Sequence, residues 1–151
     1  VASTLNDPRL LPFVYHVLFT MPGVPAVYYG SEWGAEGTDE HGDEALRPAF
    51  ERPEWNELTD AIRELASVRR ASSALCHGSF RNVLIQNKQW IFERKSGDER
   101  ILVALNIDSE PQRLHFDAQA GRARDLLTGE MHDFGGGSEL SPFSRAIWRV
   151  E

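Results

Sequence analysis

The sequence predicts a mixed fold, a helical αβα stretch followed by an antiparallel β-sandwich. Two observations carry this. Apolar residues recur at a spacing near 3.6 up to about Ala71 and at a spacing of 2 beyond about Gly78. The second half is also punctuated by turn-forming residues at short intervals, with no helical pattern between them.

The first helix is expected from Asp7, a good N-cap, and Pro8, whose missing N–H costs nothing in a first turn. Leu10, Leu11, Phe13, Val14, Val17, Leu18 and Met21 then form one wide apolar face, and Pro22-Gly23 stops the helix. Ala26-Val27-Tyr28-Tyr29, closed by Gly30, reads as a short buried strand of a parallel sheet. Residues 31–52 form an aperiodic loop containing Glu32, Glu36, Asp39, Glu40, Asp43 and Glu44 ahead of Arg47. A loop that long in a compact domain is more often functional than passive. Pro53 restarts a helix with Leu58, Ala61, Ile62, Leu65 and Ala66 on one face. Arg69 and Arg70 fall near its C-terminus, where the helix dipole favours cations. One αβα step cannot bury both faces of a strand, so this half reads as the end of a larger α/β domain.

Strands are expected over residues 79–86, 89–95, 100–107, 112–116, 122–126, 130–134 and 145–150. The domain division is placed at 1–73 and 74–151. Trp90, Phe92, Phe116, Phe134, Phe143 and Trp148 are expected mainly in the sandwich core, with sugar stacking as their second use.

Composition excludes several classes. The 151 residues are 41% hydrophobic and 26% charged, with a net charge of −7 and a pI near 5.2. Scattered Lys and Arg in an acidic chain offer no footprint for nucleic acid, and no apolar run is long enough for a membrane span. The single cysteine, Cys76, permits no intrachain disulfide and suits a reducing, cytoplasmic setting. The five histidines lie in different elements without zinc-ligand spacing, so neither a metal nor a cofactor is expected. Gly30-Ser31-Glu32-Trp33-Gly34 has its serine too early for a nucleophile elbow, and Gly135-Gly136-Gly137 opens no helix that could bind phosphate. In the acidic loop, Asp43 and Arg47 could hold sugar hydroxyls through charge-assisted hydrogen bonds, or Arg47 could tie down its own loop. Tyr28, Tyr29 and Trp33 stand where a strand would run into that loop, and an aromatic ring there could stack on a sugar.

The segment Gly23-Val24-Pro25-Ala26-Val27-Tyr28-Tyr29-Gly30-Ser31-Glu32 matches G-x-P-x-x-Y-Y-G-x-E. It resembles the motif on the eighth strand of the (β/α)8 barrel in the α-amylase family of glycoside hydrolases. Asp43-Glu44-Ala45-Leu46-Arg47-Pro48 is similar to the loop that follows it. Asp125-Leu126-Leu127-Thr128-Gly129-Glu130 and Ala146-Ile147-Trp148-Arg149 resemble the terminal β-sandwich of the same enzymes. The resemblance implies the last αβα elements of a barrel followed by that sandwich. It also implies a parent enzyme acting on α-glucans or malto-oligosaccharides with retention, through a covalent glycosyl intermediate. The family's nucleophile, acid/base and third carboxylate would all precede Val1, so no catalytic role passes to this chain, which is expected to be inactive alone. Asp43, Arg47, Tyr29 and Trp33 are the expected substrate contacts. The alternative is a stand-alone carbohydrate-binding or interaction module built on the sandwich. The helical half is expected to expose an apolar face through Phe13, Val17 and Met21, open to self-association, unless a second copy or the sandwich covers it.

Overall fold

A computed structural model of the chain describes residues 2–37 and 49–151. Helices α1 (Leu11–Thr20), α2 (Glu57–Arg70) and α3 (Ser73–His77) precede eight strands. These are β1 (Ser79–Ile85), β2 (Gln89–Ser96), β3 (Glu99–Asn106), β4 (Gln112–Leu114), β5 (Arg122–Asp125), β6 (Met131–Asp133), β7 (Ser138–Leu140) and β8 (Ser144–Val150). Six of them form an antiparallel sheet ordered β1-β2-β3-β8-β5-β6, and β4 pairs with β7 in a small second sheet. The sandwich is therefore unequal.

The main sheet is covered on both faces. Phe92, Ile101, Val103 and Ile147 pack on one face against Tyr15, Phe19, Ile62, Leu65 and Leu75 from the helices. Ile91, Leu102, Ala104, Ala146 and Trp148 face the other way, onto Leu114 and Leu140 of the small sheet. Strand β3 is buried continuously from Ile101 to Asn106. Five apolar residues in a row there, Ile101-Leu102-Val103-Ala104-Leu105, suit a strand with no wet face rather than an alternating one. The face expected to be bare is largely covered by the sandwich. Phe13 is buried, with the Arg145 guanidinium 5.9 Å from its ring centre, and Met21 packs against the helical core. Val17 and the edge of Phe13 line an apolar groove of about 420 Å³ beside the β1–β2 turn.

Asp7 caps a 3₁₀ turn at Pro8–Leu10 by accepting from the Arg9 N–H at 3.0 Å, and α1 continues from it. Helix α2 starts at Asn56 rather than Pro53. Asn56 accepts from the Thr59 N–H at 3.2 Å while Thr59 Oγ1 accepts from the Asn56 N–H, a reciprocal cap. Helix α3 occupies the stretch expected to be a plain boundary. Ser72 caps it, and Glu99 of β3 accepts from Ser73 Oγ and the Ala74 N–H, each at 2.8 Å. Gly78 ends it in extended backbone, and the position must be glycine because a Cβ there would lie 2.3 Å from the Ala74 carbonyl oxygen.

Two buried arginines converge on the end of α1, one from α2 and one from the sheet. Arg69, expected to serve the end of its own helix, instead reaches the end of α1. Its Nη1 donates to the Phe19 and Met21 carbonyls at 2.7 and 3.0 Å, and its Nη2 donates to Gly23 at 2.6 Å. Arg94 of β2 donates to the carbonyls of Thr20, Gly78 and Ser79. The free carbonyls at a helix C-terminus carry partial negative charge, so they are fitting partners for two cations without a carboxylate.

Strand β7 was not expected. It is three residues long and follows Gly136 and Gly137, both at positive φ, so it has no periodic signal of its own. The strand expected at residues 26–29 is absent from every ladder among the described residues, and Tyr28 and Tyr29 are 55% and 47% exposed rather than buried. A parallel strand exists only through hydrogen bonds to neighbours, and no described strand lies beside this one.

Candidate functional site

The segment after residue 29 is shaped by two glycines. Gly30 and Gly34 adopt left-handed φ values of 82° and 80° and bracket a 3₁₀ turn at Ser31–Trp33. A Cβ on Gly30 would meet the Phe50 ring at 2.6 Å, so glycine is needed there for space as well as conformation.

Helical side chains clamp this turn in place. Tyr15 of α1 donates its hydroxyl to the Ser31 carbonyl at 2.8 Å. Burial is the main cause raising the Tyr15 pKa, which keeps the hydroxyl a donor. Asn56 donates to the Trp33 carbonyl at 3.0 Å, and Thr59 donates to the Glu32 carbonyl at 2.9 Å. The residues that cap α2 therefore also fix the loop. Glu32 Oε2 and the Trp33 indole N–H are buried with no hydrogen-bond partner among the described residues.

Tyr29 and Trp33 are brought together by Phe50, whose ring centre lies 6.0 Å from Tyr29 and 5.3 Å from Trp33, edge to face with both. With Ala49, Glu51, Arg52 and Pro53 they line a hollow of about 530 Å³. Aromatic faces backed by a carboxylate and a guanidinium suit a ligand with both C–H and hydroxyl surfaces. Asp43 and Arg47 lie outside the described residues. Phe50 was missed by sequence reasoning because it falls in an aperiodic loop. Its only signal is an aromatic directly after the charged stretch. Asn56 and Thr59 were missed as well, since the helix was expected to restart at Pro53, and their reciprocal cap and their clamps on residues 31–33 appear only in the structure.

Among the described residues no group of three or more His, Cys, Asp or Glu could hold a metal, and no helix is long and apolar enough to cross a membrane. Cys76 is half-buried, its thiol against the Arg69 carbonyl at 3.1 Å. The sandwich aromatics are mainly packed. Phe92 and Trp148 are buried, while Trp90, Phe116 and Phe134 flank the two cores.

Comparison with known proteins places these features. Residues 84–145 match the family described as the alpha amylase, C-terminal all-beta domain. The chain is similar to a cyclomaltodextrin glucanotransferase of Bacillus sp. (strain 38-2), 29% identical over 161 residues, covering 95% of this chain and 22% of that protein. It is similar also to one of Niallia circulans, 31% identical over 165 residues, covering 98% and 22%. Among solved structures it resembles an alpha-amylase of Anoxybacillus, with a TM-score of 0.85 and 25% identity over 95% of this chain and 33% of that one. Ttha1563 from Thermus thermophilus gives 0.78 and 30%, over 95% and 31%. The chain thus spans about a fifth of the length of the curated relatives it matches.

Proposed function

We propose that this chain, a match to the C-terminal region of the α-amylase family of glycoside hydrolases, is the C-terminal part of an enzyme acting on α-glucans with retention, in the manner of an α-amylase or a neopullulanase. In this reading residues 1–73 close a (β/α)8 barrel and 74–151 form its terminal sandwich. The run at residues 26–29 becomes the eighth barrel strand once its neighbours are present. The nucleophile, the acid/base and the third carboxylate belong to preceding elements. This chain contributes substrate contacts and no chemistry.

The observation that carries the reading is the aromatic hollow of Tyr29, Phe50 and Trp33 at the end of the matched strand motif. In a (β/α)8 barrel that end is where sites are built. Two rings could pack on glucosyl faces there. Asp43 and Arg47 would clamp hydroxyls from the loop. A cytoplasmic setting is part of the proposal, supported by the single cysteine.

Calorimetric titration of maltoheptaose into the chain tests the site. Tyr29→Ala is expected to weaken binding by about tenfold, as for a stacking residue central to a small interface. Its effect on folding should be small, because Tyr29 is half exposed. Asp43→Ala and Arg47→Ala are expected to weaken binding by several-fold each. Unchanged affinity in Tyr29→Ala would remove the hollow from the site.

A further inference from the structure

Outside the hollow, Trp55 presents the most exposed aromatic side chain among the large hydrophobics, at 63%. A lone exposed tryptophan needs no function. This one, however, is held by polar partners rather than left loose. Its indole N–H donates to Asp60 Oδ1 at 3.2 Å, and the Arg63 guanidinium sits 5.5 Å from the ring centre. Arg63 in turn pairs with Asp60 at 2.8 Å.

Two side chains of α2, Asp60 and Arg63, thus fix one large apolar ring in an exposed position. Its rim carries a carboxylate and a guanidinium. That arrangement is costly for a surface with nothing to bind, because ordering long side chains forfeits rotamer freedom. It is well suited to a ligand that offers an apolar face edged with hydroxyls. A ring already fixed loses little entropy on binding, and the neighbouring charges can exchange water for sugar hydroxyls.

The position fits an extended ligand. Pro53 lines the hollow, and Asn56 donates to the Trp33 carbonyl, so Trp55 lies between two residues attached to that site. We infer that Trp55, with Asp60 and Arg63, is an outlying platform for a linear α-glucan chain whose nearer sugars occupy the Tyr29–Phe50–Trp33 hollow. This rests on the reading of that hollow as an α-glucan site. The platform makes affinity depend on chain length, because a short sugar fills the hollow without reaching Trp55.

The test compares maltose with maltoheptaose on the full 151-residue chain and its variants. Trp55→Ala is expected to weaken maltoheptaose about tenfold and to leave maltose within about twofold. Trp55→Phe should recover part of the loss, which separates stacking from helix capping. Because the indole is exposed, maltoheptaose should also shift tryptophan emission to the blue more in the parent chain than in Trp55→Phe, where Trp33 is the tryptophan left at the site, with equal unfolding midpoints for the two. If the parent binds both sugars and Trp55→Ala changes maltoheptaose by less than about twofold, the platform is overturned and the hollow stands. If the parent binds neither sugar, both fail together.

Discussion

Replacing Arg94 with alanine is expected to lower stability by about 3–5 kcal/mol, enough to remove much of the margin of a small domain. Arg94 is 1% exposed, and its guanidinium satisfies the carbonyls of Thr20, Gly78 and Ser79. Truncation leaves the Thr20 oxygen buried and unpaired and removes the partner of two part-buried ones, and each buried orphan costs about 1–3 kcal/mol. Burial and the nearby Arg69 both push the Arg94 pKa down, and the carbonyls at the negative end of α1 offset the cost of burying its charge. Arg94→Lys is not a rescue, since an ammonium lacks the planar fork that reaches carbonyls on α1 and β1 together. Arg69→Ala is expected to act similarly. The two arginines serve neighbouring carbonyls, so the double variant should depart from additivity. Urea unfolding of the four proteins in this cycle measures all of these terms. A loss below about 1 kcal/mol for Arg94→Ala would mean that water replaces the guanidinium freely.

Acidification is expected to destabilise the chain through His16. This imidazole is fully buried on α1, with neither nitrogen hydrogen-bonded among the described residues. Burial pulls its pKa from 6.5 to about 3, Arg145 adds to the shift, and only the Ala146 backbone opposes it. The folded chain thus holds His16 neutral while the unfolded chain protonates it near pH 6.5. The stability tied to the neutral form is complete above that value and is lost as pH falls toward about 3. The slope approaches about 1.4 kcal/mol per pH unit within that window, for a total of several kcal/mol. His16→Leu should remove this acid limb. At neutral pH it should be close to neutral or stabilising, because it deletes a buried polar group whose nitrogens make no well-formed hydrogen bond among the described residues. Denaturant midpoints at pH 7, 5.5 and 4.5 compare the two proteins. Parallel pH profiles would show that His16 is not the group responsible.

The second half of the fold was legible because alternation and turn chemistry agree there. Asn87-Lys88 and Ser96-Gly97-Asp98 mark the β1–β2 and β2–β3 turns, and the expected strands fall within a few residues of those found. Strand β7 carried no signal, since Ser138-Glu139-Leu140 is held by its pairing with β4 rather than by propensity. The two-sided burial of β3 follows its unbroken apolar run, which departs from the alternation of the other strands. The pairing of Arg69 and Arg94 with α1 could not be read, because guanidinium partners more than forty residues away in sequence leave no local trace. For the site, the glycines and aromatics of residues 23–34 were readable as a motif. Phe50, which seats Tyr29 and Trp33 around one hollow, was not. Residues 26–29 show the limit of local pattern: their sequence favours a strand, but a parallel strand is made by its neighbours.

Whether the chain recognises α-glucan without cutting it is decided most directly by following maltoheptaose by NMR in the presence of the purified 151 residues. Saturation of the protein's aromatic protons should transfer to glucosyl ring protons, while the anomeric signals stay constant over days. Growth of new anomeric signals would place a working nucleophile and acid on this chain, and the absence of transfer would leave the hollow without its ligand. Either result would contradict a substrate-contacting, non-catalytic role.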